Sequence, residues 1–172
     1  MVFIQQRIRR AAQQSGKIII YANAIRQIIK LAQKLQCEVY YSQQIDKPSI
    51  LQRFTQSQTQ VITATSALDM GVDIPDIRYI IHIGMPRTLL DYAQENRCTG
   101  QNRQSSEVII IQPHGPVERD KPVQKYMDVV PGMGCRRYIL DRYLDGPVNG
   151  YKRQYCRDKN PEKMQCNRCN SE

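Results

Sequence analysis

The sequence predicts an α/β fold built on a parallel sheet, followed by a small helical appendage that carries cysteines. Two observations point to the sheet. Short, wholly apolar segments such as Ile18-Ile19-Ile20 and Val108-Ile109-Ile110-Ile111 alternate with segments whose apolar residues recur at helical spacing. Polar loops rich in Thr, Asp and Gly follow these strands, and parallel sheets bind ligands at the carboxyl ends of their strands. A third observation points to the appendage: four of the six cysteines, Cys135, Cys156, Cys166 and Cys169, lie in the last 38 residues.

The elements follow in order. Residues 1–15 read as a packing helix, with Val2, Ile4, Ile8, Ala11 and Ala12 near one face and Ser15-Gly16 ending it. Lys17 to Tyr21 reads as a strand. Asn23-Ala24 opens a helix to about Leu35, apolar at Ile25, Ile28, Ile29, Ala32 and Leu35 and basic at Arg26, Lys30 and Lys34. Glu38 to Tyr41 is the next strand, so 17–41 forms a βαβ unit whose crossover should be right-handed. Lys47-Pro48 precedes a helix over Ser49 to Thr55, since proline suits a first turn. Val61-Ile62 starts the third strand and runs into Thr63-Ala64-Thr65-Ser66. Tyr79 to Ile83 is the fourth strand, stopped by Gly84 and Pro86. Thr88 to Glu95 is helical, and Glu107 to Ile111 is the fifth strand. Residues 112–134 are rich in Pro and Gly and read as a linker, with one short helix within Gln124 to Val130. The sheet domain therefore spans 1–111 and the appendage 135–172, which opens with a helix over Cys135 to Leu144.

Charge narrows the function. The net charge is +9 and the pI about 9.4. Residues 1–58 carry +7, residues 59–134 carry −2 and residues 135–172 carry +4. Two basic ends suggest an anionic partner, nucleic acid first. No apolar run approaches the ~18 residues needed to span a bilayer, and the first ten residues have no signal-peptide pattern. We expect an intracellular protein with no membrane partner. In that setting clustered cysteines read as a metal site rather than disulfides. Cys166-Asn167-Arg168-Cys169 is a strong hook, because two sulfurs at that spacing reach one tetrahedral ion. Cys37 reads as a small buried apolar residue.

The loops carry a resemblance. Thr63-Ala64-Thr65 with Met70-Gly71-Val72-Asp73-Ile74-Pro75-Asp76 resembles motif V of the RecQ-type superfamily 2 helicases. Tyr92-Ala93-Gln94-Glu95 followed by Gly100 resembles the opening of their motif VI, and Gly16 to Tyr21 resembles motif IV. The resemblance implies a RecA-like lobe of the P-loop NTPase type, specifically the second of the two lobes that clamp ATP. It implies DNA as partner and 3′–5′ unwinding as the family's activity. It places Thr65 and Ser66 against the DNA backbone, and Gly71 and Asp73 on the nucleotide side. Motif VI departs from the family. Cys98 and Gln101 stand where the family has the two arginines that stabilise the transferring phosphoryl group, although Gln94 and Gly100 are kept. The chain also has no G-x-x-x-x-G-K-[ST] loop. ATP and Mg²⁺ would then require a separate first lobe. The family carries a four-cysteine zinc module after this lobe. The helix start Cys135-Arg136-Arg137-Tyr138 matches it, while the nine-residue gap between Cys156 and Cys166 is closer to fungal members. The resemblance thus assigns Zn²⁺ to Cys135, Cys156, Cys166 and Cys169, and DNA contact to Arg136 and Arg137. The expected function is a second-lobe fragment that is inactive alone. The alternatives are a non-enzymatic zinc-bearing DNA-binding module, one half of a split helicase, or a related lobe acting on RNA.

Overall fold

Lys17–Ala22, strand β1, is buried at every position and sits at the centre of the fold. The computed structural model describes residues 2–13, 16–69, 74, 76–97, 99, 105–112, 120–129, 133–147, 155–156, 166 and 168–169. Around β1 lie β2 (Glu38–Tyr40), β3 (Val61–Ala64), β4 (Ile77–Ile83) and β5 (Glu107–Ile111), in the order β2-β3-β1-β4-β5. Every pairing is parallel. The chain leaves β1 for the far edge at β2, returns to β3, then crosses to β4 on the other side of β1. That change of direction is where such sheets form a ligand crevice.

The two faces of the sheet are sorted by the two-residue strand period. Ile18 and Ile20 of β1 join Tyr79 and Ile81 of β4 in one layer, against Ile4 and Ala11 of helix α1 (Val2–Gln13) and Leu31 and Leu35 of α2 (Ile25–Leu35). Ile19 and Tyr21 face the other layer with Ile62, Ile77 and Ile80, under Ile50 and Phe54 of α3 (Lys47–Thr55). Phe54 is fully buried, so its burial contributes about 1.5–3 kcal/mol relative to an exposed side chain.

Several elements differ from the sequence expectation, each for a local reason. Strand β3 extends through Ala64, because Thr63 is fully buried with its hydroxyl donated to the Ile28 carbonyl at 3.1 Å and the Glu38 carbonyl at 3.3 Å. Strand β4 begins at Ile77 rather than Tyr79. Arg78 is charged yet buried; its stem lies against Gly16, where an added Cβ would collide with it, and its guanidinium meets Asp76 at 3.6 Å. Asn23 does not cap α2, whose N-cap is Ala24.

The chain divides into two compact units. The first unit comprises residues 1–86 and 94–115 and holds the sheet; the second comprises residues 87–93 and 116–172. The second unit contains most of α4 (Leu89–Glu95), α5 (Lys121–Met127) and α6 (Arg136–Asp145). Helix α5 starts three residues before the expected segment, since Pro122 sits in its first turn. No helix of the described residues is long and apolar enough to cross a membrane.

Candidate functional site

The carboxyl ends of β1, β3 and β4 form a tied polar edge. After β1, the Asn23 side-chain amide donates to the Met85 carbonyl beyond β4 at 2.8 Å. After β4, Gly84 adopts φ +95°, a left-handed conformation that suits glycine, and its N–H reaches the Ile111 carbonyl at the end of β5. After β3, the Thr65 N–H bonds the Tyr40 carbonyl at the end of β2. The Thr65 hydroxyl accepts from the Ala67 N–H at 3.4 Å and its carbonyl from the Leu68 N–H. These bonds open a 3₁₀ turn, Ser66–Asp69, absent from the sequence expectation. A hydroxyl oxygen that accepts can still donate its proton, and Thr65 and Ser66 are half-buried hydroxyls at this edge. Gly71 and Asp73 lie outside the described residues.

A buried polar cluster next to this edge was not singled out from sequence. His82 lies near the carboxyl end of β4 with its Nδ1 3.1 Å from a Glu95 carboxylate oxygen and its Nε2 3.0 Å from Asn96 Oδ1. Its ring stacks on Tyr21 of β1 with centroids 5.5 Å apart and planes 17° apart. His82 and Glu95 are both buried, where ionisable groups need such partners. The signal was present: a histidine interrupts the apolar run Tyr79-Ile80-Ile81-His82-Ile83. Glu95 and Asn96 therefore anchor the chain within the segment that resembles motif VI. Gln94 and Arg97 beside them are exposed. Cys98, Gly100 and Gln101 lie outside the described residues.

In the second unit, Cys135, Cys156, Cys166 and Cys169 bring their four sulfurs within 4.8 Å of one another. Cys135 and Cys166 sulfurs are 3.9 Å apart. A tetrahedral ion with metal–sulfur bonds near 2.3 Å places its ligand sulfurs about 3.8 Å apart, so the set fits a metal. The backbone supports the charge such sulfurs carry. Tyr138 and Cys156 N–H groups both point to Cys135 Sγ at 3.4 Å, and the Cys166 N–H to Cys156 Sγ at 3.2 Å. Burial pushes the Cys166 thiol up, but the backbone N–H groups of Arg168, Arg136 and Cys169 outweigh it and hold it at about 6. Burial, followed by the neighbouring thiols, pushes Cys169 up to about 12. One sulfur thus ionises readily and its neighbours resist, a repulsion that a bound cation relieves.

The two arginines after Cys135 are placed differently. Arg136 is half-buried. Its guanidinium donates to the Tyr126 carbonyl at 3.1 Å and the Met127 carbonyl at 3.2 Å, with its carbon 5.4 Å from the Tyr126 ring centre. It satisfies the last carbonyls of α5, where a cation also complements the helix dipole. Burial lowers its pKa from the ordinary value. Arg137 is exposed.

Comparison with known proteins places this arrangement. Residues 2–100 match the family described as the helicase conserved C-terminal domain. The chain belongs to that family, in its RecQ-type branch. It is 33% identical over 96 residues to a putative ATP-dependent DNA helicase Q1 of Caenorhabditis briggsae, covering 51% of this chain and 16% of that protein. It is 37% identical over 78 residues to the probable ATP-dependent DNA helicase RecS of Bacillus subtilis, covering 45% of this chain and 16% of that protein. The matches thus span about a sixth of those relatives' length. The crystal structure of the E. coli DEAD-box protein SrmB bound to the regulator of ribonuclease activity A shares the fold. Its TM-score is 0.54 at 19% identity, covering 63% of this chain and 68% of that one. The helicase lobe is thus a parallel α/β sheet of RecA-like type with a four-cysteine cluster after it in sequence.

Proposed function

We propose that this lobe binds the DNA backbone along the carboxyl edge of its sheet, carries a structural Zn²⁺, and does not hydrolyse ATP by itself. The four converging sulfurs are the observation that carries the zinc assignment: four thiolates suit a closed structural site, with no position left for water or substrate. The ion would tie Cys135, at the start of α6, to Cys156, Cys166 and Cys169. Thr65 and Ser66 offer hydroxyls to phosphate oxygens; Arg137 and the basic helices α1 and α2 add cations. Gly71 and Asp73 would face the nucleotide, as the family's motif V suggests. A nuclear location accords with this reading.

The catalytic deficit rests on residue identity. No Gly-rich Lys-bearing loop occurs in these 172 residues, so nothing here cradles the β- and γ-phosphates. Neither Cys98 nor Gln101 carries a fixed positive charge, and an arginine finger accounts for about 10³–10⁵ in rate. ATP and Mg²⁺ enter only with a separate Walker-bearing lobe. The missing arginines favour a DNA-binding module over one half of a working split helicase.

Salt dependence tests the DNA reading. Affinity for duplex DNA should fall along a straight line in log–log coordinates, with a slope of about −0.9 per phosphate contacted. Absence of binding at low salt, or an affinity that salt leaves unchanged, would overturn it.

A further inference from the structure

The second unit has an open groove that the carboxyl-edge site does not use. It has a volume of about 250 Å³ and lies between α5 and α6, with Leu89, Pro122 and Ile139 as apolar lining, and Tyr138 and Tyr143 as aromatic lining. Three features point to its occupant. Among the described residues, the only charged side chains lining it are the exposed cations Lys125 and Arg142. Tyr143 is 40% exposed although it belongs to the groove. Tyr138 is braced edge-on by Tyr155, with centroids 5.3 Å apart and planes at 86°, so one aromatic wall is held in place. An open apolar groove with aromatic lining and two exposed cations matches an aromatic ring joined to an anion. In DNA that combination is an unpaired base on its phosphate; in a duplex the base is stacked and out of reach.

We propose that this groove takes one unpaired base of single-stranded DNA, stacked on Tyr143, with Arg142 and Lys125 on the adjoining phosphates. The proposal rests on the DNA-binding reading above and adds to it a preference for a single-stranded segment. The cysteine cluster need only keep α6 in place.

Fluorescence anisotropy on the full zinc-loaded chain tests it, with dye-labelled oligothymidylate, the same strand made abasic, and a duplex of equal length. Tyr143→Ala should weaken binding to oligothymidylate by about 5- to 150-fold, the worth of one stacked base. Tyr143→Phe should bind as the unaltered chain does. The abasic strand and the duplex should not distinguish the three proteins. Tyr143→Ala binding oligothymidylate normally would overturn the groove and leave DNA binding intact; failure of every protein to bind any DNA would overturn both. Hydrogen exchange on the unaltered chain gives a readout independent of variant folding. Oligothymidylate should protect amides of α5 and α6 more than duplex does. Protection by an acidic aromatic peptide alone would make the groove a peptide site and refute the proposal.

Discussion

Cys37 and Cys166 are both half-buried thiols, yet their surroundings push them in opposite directions. Burial first, and the Glu38 carboxylate second, push Cys37 up to about 11 from an ordinary 9.0; a backbone hydrogen bond from Thr63 offsets only part. Its folded pKa lies above its unfolded one, so this thiol's contribution to stability is complete below pH 9 and is lost as pH rises through 11. We expect Cys37 to react slowly with iodoacetamide at pH 8 while the fold holds, and quickly once urea unfolds it. Equal rates in both states would refute the burial argument. Cys166 instead has backbone N–H donors around it and sits among three further sulfurs. The purified chain should therefore hold about one equivalent of Zn²⁺ by atomic emission, and Cys169→Ser should lower that occupancy severely. A chelator should expose amides around Cys135 and Cys169 while leaving those of the sheet protected. Metal-free protein that keeps its C-terminal amides protected would refute the zinc site.

At the scale of elements, α4, α5 and α6 meet through one run of contacts in the second unit. Arg136, at the start of α6, holds the last carbonyls of α5 and lies over Tyr126. The Tyr126 hydroxyl donates to the Tyr92 hydroxyl of α4 at 3.2 Å, with ring centroids 5.3 Å apart. Both tyrosines are buried, so the hydroxyls serve each other in place of water. A double-mutant cycle of Tyr92→Phe and Tyr126→Phe, read by urea unfolding, should show a coupling of about 0.5–1.5 kcal/mol. Additive losses would mean the hydroxyls act separately. These contacts also show what sequence could and could not reveal. The five strands were legible because each is a short apolar run followed by a polar loop. The sulfur site was legible because Cys166 and Cys169 share a two-residue gap. The order of strands was hidden, since nothing local places β3 between β1 and β2. Arg78 masked the start of β4, because its charge looks solvent-facing until its stem is seen packed on Gly16. Thr63 resembled a loop residue because the two carbonyls that satisfy it come from residues 35 and 25 positions away. The His82–Glu95–Asn96 cluster needed the fold to bring 82 beside 95 and 96.

Taken whole, the molecule pairs a helicase lobe with basic ends and a metal-ready cluster, and the positions that resemble motif VI hold Cys98 and Gln101. Residues 1–58 carry +7 and residues 135–172 carry +4, so DNA association should be driven largely by counterion release. Catalysis is a separate matter, because phosphoryl transfer depends on cations placed at the γ-phosphate rather than on net charge. Arg97 and Arg103 are near the motif VI positions in sequence but displaced along the loop from Cys98 and Gln101. The most direct test joins this chain to the Walker-bearing first lobe of a RecQ-type helicase and measures ATP hydrolysis with and without single-stranded DNA. The account predicts turnover near background in both cases, rising by orders of magnitude when Cys98→Arg and Gln101→Arg are introduced together. Robust DNA-stimulated hydrolysis by the unaltered hybrid would contradict it, by showing that Arg97 or Arg103 supplies the missing charge.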